Sequence, residues 1–241
     1  NGEFLQKTSN GLSQQVKVGQ DIFTWYMPKW LGVDPQTGDP QWEVVEDDGT
    51  SRATNVYQEA TFQNVGKASP LMQGGIGTSI RYKGFTLSAN GAFIYGNKVF
   101  NQARISMDSD GAYTDYNMMS HDNGLGWSRW EKPGDIATHP KPALNGNKSA
   151  HAISSRYLED GSFFRLKNVT LSYDFPKTWM SRIRFQGLRL YVSADNVATA
   201  SRFSGMDPEV RLEGTDWELA GTYSTNYPVP MSIVGGIEIT F

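Results

Sequence analysis

The sequence predicts an all-β protein, and three observations carry that expectation: a composition rich in glycine and aromatic rings, a period of two in the apolar residues, and connections that alternate between short and long. Gly 25, Tyr 11, Trp 7 and Phe 12 stand beside only 38% hydrophobic residues and a mean hydropathy of -0.48. Many short strands, frequent turns and ring-bearing surfaces need that mixture, whereas helical packing does not. The formal net charge of -3 provides no broad positive field for a phosphate backbone, so nucleic acid is not an expected partner. Cysteine is absent, which excludes a disulfide framework, a thiolate metal site and a cysteine nucleophile together. No stretch reaches the roughly 18 consecutive apolar residues of a membrane-spanning helix, and the opening NGEFLQKTSNG lacks a charged-then-apolar signal pattern. A protein that crosses a membrane with strands would look the same, because its apolar residues alternate with polar ones.

The alternation is clearest in the last ten residues. Met231, Ile233, Gly235, Ile237, Ile239 and Phe241 share one face, while Ser232, Gly236, Glu238 and Thr240 share the other, with Val234 as the exception. Gly187 to Val197 repeats it, with Leu188, Leu190, Val192 and Ala194 opposite Arg189, Tyr191, Ser193 and Asp195. In Asn168 to Phe175 the apolar set is Val169, Leu171, Tyr173 and Phe175. Just upstream, Phe164 and Leu166 carry the opposite parity, so either a β-bulge lies between or the strand has left its apolar surroundings. Two strands flank Tyr82-Lys83-Gly84-Phe85 as a hairpin. A weaker strand is expected from Val16 through Val18 and Ile22 toward Trp25 and Tyr26, which brings the total to about six strands.

Short links fall at Lys83-Gly84 and around Pro176 to Gln186, whereas long polar ones run over about 27–70, 96–161 and 198–227. Outer-membrane barrels have this asymmetry, with short periplasmic turns and long extracellular loops; their apolar faces meet lipid and their polar faces line a watery lumen. The alternative is a soluble, carbohydrate-binding β-sandwich in which the apolar faces pack on each other.

Several segments decide between these readings. YLEDGSFFRLKNVTLSY at Tyr157 to Tyr173, followed by Phe175-Pro176, resembles the "edGSFlRlkNvtLsY-lP" block of SusC/RagA-family TonB-dependent receptors of the Bacteroidetes outer membrane. Gly32 to Pro40 resembles that family's "GvDp-TGdP" loop. Gly66 to Pro70, with Gly74-Gly75 and Tyr82 to Phe85, is similar to "iGk--P---GG---s--YkgF". Trp130 to Asp135 resembles "rW-kPGD", Leu190 to Asn196 resembles "l-vy-s--Nl", and Ser204-Gly205 with Asp207-Pro208-Glu209 resembles "sG-dPE". The matches are collinear and span almost the whole chain.

The resemblance implies an antiparallel transmembrane β-barrel segment, residues 1–241, forming the C-terminal strands of a plugged barrel of about 22 strands. Signal peptide, plug and N-terminal domains are absent from these residues. It further implies active import of an oligosaccharide or peptide across the cell outer membrane, with a SusD-like surface lipoprotein capping the mouth and the TonB complex acting through the missing N-terminal region. Phe241 would be the terminal aromatic read as the barrel assembly signal.

No residue is expected to be catalytic. His121, His139 and His151 lack the carboxylate spacing of a zinc hydrolase and are expected to be solvated loop residues. No serine elbow or phosphate-cradling glycine cluster is present, and no cofactor is expected. Asp108, Asp110 and Asp115 are the one weak metal candidate, a structural Ca2+ site, although the late glutamate of a calcium loop is missing and a solvated acidic turn is the competing reading. Trp127, Trp130, Trp217 and Tyr223 lie in the long connections, where rings can stack on sugars, anchor a partner, or pack the loops against one another. Trp25, Tyr26, Tyr82, Tyr95 and Tyr173 sit near strand ends and are expected to form an interfacial aromatic girdle.

Overall fold

A computed structural model describes residues 3–9, 11–113, 126–180, 185–210, 219–224 and 227–241. The chain divides into two compact units. One is a single sheet, formed by 71–95, 162–201 and 227–241; the other gathers 1–70, 96–161 and 202–226.

The sheet contains β1 (Met72–Tyr82), β2 (Phe85–Tyr95), β3 (Phe163–Asp174), β4 (Gly187–Ser201) and β5 (Ser232–Thr240). Each strand pairs antiparallel with its neighbour in sequence, so the order is a simple meander. The β1 to β2 link is the two-residue turn Lys83-Gly84, where Lys83 has φ 45 and Gly84 φ 88. Positive φ at both central positions is what a tight hairpin of this hand requires. The phase break ahead of Val169 is a β-bulge: the register of β3 shifts between Leu166 and Asn168 against both neighbours. Asn196 in β4 takes φ 52 beside it, a conformation that asparagine tolerates better than most residues. The extra residue returns Phe164 and Leu166 to the same face as Val169 and Leu171.

The second unit is built from short strands. Phe4–Lys7, Ser13–Val16, Thr24–Pro28 and Phe62–Lys67 form one sheet, and Trp30–Val33, Pro40–Val45 and Ser51–Thr54 another. Lys98–Asn101 lies between Leu158–Asp160 and Thr222–Tyr223. Its core combines Leu12, Trp25, Met27, Ala68, Phe100 and Tyr157, drawn from the first two segments. Val99, Phe203 and Tyr223 form a smaller cluster that includes the third.

Two expectations change here. The single weak strand expected over Val16 to Tyr26 is instead two short antiparallel strands, with Gln14 opposite Trp25. Val18 and Ile22 lie on the exposed turn between them. Trp25 is fully buried in this unit's core, its indole donating to the Lys98 carbonyl, and Tyr26 packs on Phe62; neither belongs to a girdle on the long sheet. Strands of four to six residues are too short for a period of two to stand out from loop sequence.

Candidate functional site: a two-faced sheet and an ion-paired hub

Cross-strand register sorts the long sheet into two chemically opposite faces. On one, Ile76, Ile80 and Tyr82 of β1 share a side with Phe85, Leu87 and Phe93 of β2, Phe164, Leu171 and Tyr173 of β3, Leu190 and Val192 of β4, and Ile233, Ile237 and Ile239 of β5. All of these side chains but Phe93 and Tyr173, which are partly covered, are exposed: Ile76 is 65% accessible, Leu171 43% and Ile237 68%. Each large aliphatic or aromatic residue withheld from an apolar environment forgoes roughly 1.5–3 kcal/mol. A face of this extent left in water would therefore forgo on the order of tens of kcal/mol, more than the roughly 5–15 kcal/mol by which domains are stable. Among the described residues no second sheet covers it, which removes the β-sandwich reading.

The other face is wet and cross-linked. Ser79 and Ser88 lie 3.1 Å apart, Asn168 donates to Ser193 and Asp195, and Thr170 meets Ser193 at 2.8 Å. Arg165 donates to Thr199, Arg81 to Asp174 and Arg189 to Ser172. Val234, and Ile94 with Phe163 at the far end of the sheet, are apolar residues on this side. Glycine admits close packing here: a Cβ on Gly236 would lie 2.4 Å from the Tyr191 ring, the arrangement in which an aromatic covers a cross-strand glycine.

Rings cluster where the short links are. Phe85 and Tyr173 have centroids 4.5 Å apart, Tyr173 and Phe175 4.8 Å, and Phe185 and Phe241 5.2 Å. Tyr82 and Trp179 are exposed at the same end, and Tyr95 at the far end of β2.

In the second unit, the sequence motifs pack on one another. Asp34 accepts from the Gln36 and Thr37 amides, closing the turn of the Gly32 to Pro40 loop. The Trp130 indole donates to the Pro35 carbonyl, and the Gly134 amide donates to the same oxygen. Gly38 has φ +71 and faces the Trp130 ring, where a Cβ would come within 2.4 Å. Asp39 holds both Lys141 and Lys148, at 3.1 and 2.8 Å. Burial raises the Asp39 pKa, but the two ammonium groups outweigh it and leave it lowered. Glu159 accepts from the Ser204 amide and hydroxyl, tying the "edGSF" block to the "sG-dPE" loop.

At the centre is a buried ion network. Arg104 reaches Asp108 at 2.7 Å and Glu159 at 3.0 Å; Arg129 and Arg156 both donate to Asp110. The Trp127 ring lies against the Arg104 guanidinium, 4.4 Å from its centroid. Asp108 and Asp110 are therefore held by guanidinium groups and not left open for a cation, which corrects the calcium-loop candidate for these two; Asp115 lies outside the described residues. Among the described residues no group of three or more potential ligands is gathered. His139 is buried, 3.3 Å from Asp108, not solvated as expected. His151 is half-buried against Tyr113, and His121 lies outside the described residues. Sequence reasoning missed Arg156 altogether, and the one local signal of the network is the i,i+4 spacing of Arg104 and Asp108.

Burial raises the Asp108 pKa, but His139 and Arg104 more than offset that and lower it from 3.8 to about 2. A depressed carboxylate stabilises the fold fully above its unfolded pKa and stops doing so as pH falls through the folded one. Asp108 should thus contribute about 2 kcal/mol above pH 3.8 that disappears by about pH 2. Tryptophan fluorescence, reporting Trp127 beside Arg104, should change across that window in the wild type. An Asp108→Asn variant showing the same transition would contradict the assignment.

Of the rings expected to meet cargo or a partner, Trp127 and Trp130 pack within the unit as described. Tyr223 is buried against Phe203, its hydroxyl accepting from the Met206 amide. Trp217 lies outside the described residues.

The long strands form an open antiparallel meander, apolar and uncovered on one side and hydrogen-bonded on the other, and the class of protein is all-β with antiparallel sheets. No protein-family model matches the chain. The TonB-dependent receptor P3 of Formosa agariphila is 26% identical over 254 residues, covering 100% of this chain and 24% of the receptor. The TonB-dependent receptor SusC of Bacteroides thetaiotaomicron is 28% identical over 100 residues, 41% of this chain and 9% of SusC. Among solved structures, a chain of the RagAB peptide transporter superposes with a TM-score of 0.73 at 24% identity, over 97% of this chain and 24% of that one. The same importer in its "closed-closed" state gives 0.71 at 23% identity, over 100% of this chain and 25% of that one. The chain is similar along its length to the TonB-dependent receptor P3 and, in fold, to a chain of the RagAB peptide transporter, and it spans about a quarter of the length of each.

Proposed function

We propose that this chain is a stretch of barrel wall, with its surface loops, from an outer-membrane importer that takes up a nutrient in a TonB-dependent manner. The observation that carries the reading is the apolar face running unbroken across all five strands, which acyl chains would cover. The wet face then lines the lumen. β1 and β5 expose a free edge each among the described residues, and unpaired backbone groups in hydrocarbon cost several kcal/mol apiece. Further strands are thus required on both sides, as in a closed barrel of about 22 strands. With the short links placed in the periplasm, residues 1–70, 96–161 and 202–226 fall outside the cell.

In this reading the second unit meets a SusD-like surface lipoprotein and an oligosaccharide or peptide cargo, with Trp127, Trp130, Trp217 and Tyr223 within the sequence stretches that do so. The TonB complex acts through an N-terminal region beyond these residues. Phe241, 77% exposed at the end of β5, is the assembly signal. The solved relatives are a peptide transporter, the receptors are named for TonB dependence, and neither set is named as an enzyme. The test is uptake by cells carrying the full-length receptor: import of its nutrient should cease when TonB is deleted. Uptake that persists without TonB, or a full-length protein that is monodisperse in detergent-free buffer, would refute the reading.

A further inference from the structure

Residues 145–149 of the second unit hold an uncommon backbone. Asn145 has φ 66, Gly146 φ 88, Lys148 φ 46 and Ser149 φ 63. Glycine takes this left-handed conformation freely and asparagine tolerates it, whereas lysine and serine adopt it at a conformational cost and keep it only where the surroundings fix it. The fastenings are on the Gly32 to Pro40 loop. Asn147 is buried and donates through Nδ2 to the carbonyls of Gly38 and Lys141, at 3.2 and 3.1 Å. The Lys148 ammonium meets Asp39 at 2.8 Å, and Lys141 meets the other oxygen of the same carboxylate at 3.1 Å while donating to the Thr37 carbonyl. We propose that residues 145–149 form a strained clasp over the Gly32 to Pro40 loop, latched by the ion pairs of Asp39 with Lys141 and Lys148, and that the clasp opens as ionic strength rises. The inference concerns the second unit alone and does not depend on the import reading.

Two opposed contributions set the balance. Backbone strain at Lys148 and Ser149 favours open conformations, and salt leaves it unchanged. The ion pairs favour the closed one, and salt weakens them, because the Lys141 and Lys148 side chains are 41% and 44% exposed and mobile ions reach them. Asp39 is common to both pairs, so its loss releases both lysines at once. The ends of the segment are tied to the ion-paired hub: the Ala143 amide donates to the Asp110 carbonyl, and the Ala150 carbonyl accepts from Arg156. Residues between these ties can therefore open while the ties stay made. Opening frees the Lys141 amide from the Gly38 carbonyl and the Ala150 amide from the Asn147 carbonyl.

Hydrogen exchange resolved to single amides, on the full-length receptor in detergent, tests this. Between about 0.1 and 1 M sodium chloride the Debye length falls from roughly 10 to 3 Å, and protection at the Lys141 and Ala150 amides should drop about threefold. The Thr61 amide, bonded to the Glu43 carbonyl in the same unit, should not move. Asp39→Asn should lower protection at the two reporters in low salt and abolish their salt response. Lys148→Met, which removes one pair, should leave about half of that response and serves if Asp39→Asn does not fold. Ser149→Gly should raise protection about threefold, since glycine relieves the strain; in an unstrained loop the same change would add flexibility and lower it. Protection that falls in Ser149→Gly, a salt response unchanged in Asp39→Asn and Lys148→Met, or a drop at Thr61 matching the reporters would each overturn the clasp.

Discussion

Leu171→Arg should destabilise the full-length receptor by roughly 2–4 kcal/mol, the cost of a cation on the lipid face near the bilayer midplane. Leu171 sits in the middle of β3, flanked across the sheet by Leu87 and Val192, and 43% of it is exposed. In a bilayer the guanidinium would be forced into hydrocarbon. In a soluble protein it would simply be hydrated. Ser79→Arg provides the contrast, because Ser79 lies on the wet face, hydrogen bonded to Ser88; its cost should be about 1 kcal/mol or less. Urea unfolding in liposomes measures both. Equal effects of the two substitutions would mean that the two faces do not meet different solvents.

Arg156→Met should cost about 3–5 kcal/mol, the usual penalty for removing one partner of a buried ion pair. Arg156 is buried, pairs with Asp110, donates to the Ala150 carbonyl and lies over the Trp30 ring. Its removal leaves Asp110 with Arg129 alone. Because this network belongs to the second unit, the damage should be local: limited proteolysis should cut within residues 96–161 while heat-modifiable migration of the barrel is retained. Pairing the change with Asp110→Asn should recover part of the loss, since no uncompensated carboxylate remains. Loss of heat-modifiable migration in Arg156→Met would show that the second unit and the sheet do not unfold separately.

What could be read from the sequence follows from the length of each regular element. Strands such as Phe163–Asp174 and Ser232–Thr240 are long enough for alternation to declare itself, and the sequence alone placed Val169, Leu171, Leu190, Ile237 and Ile239 on one side. It also placed the turn at Lys83-Gly84 and flagged the irregularity before Asn168. Which side Phe164 takes was not legible, because a one-residue bulge inverts parity and only the register on both flanks shows where the extra residue sits. The calcium-loop candidate illustrates the same limit. Asp108 and Asp110 look like hard oxygen ligands in a polar stretch; the i,i+4 spacing of Arg104 hints at a partner for Asp108, but nothing local announces that Arg129 and Arg156, far along the chain, neutralise Asp110.

The amino-acid order by itself determined the two-faced strands, their short links and the resemblance to SusC/RagA-type receptors, because period-two patterning and collinear motifs are local properties. Only the tertiary structure decided that two separate stretches share one core around Trp25, Phe100 and Tyr157, and that the motif residues Gly38 and Trp130 hold each other. Burial and ion pairing are made between residues distant in sequence, and no short window contains both partners.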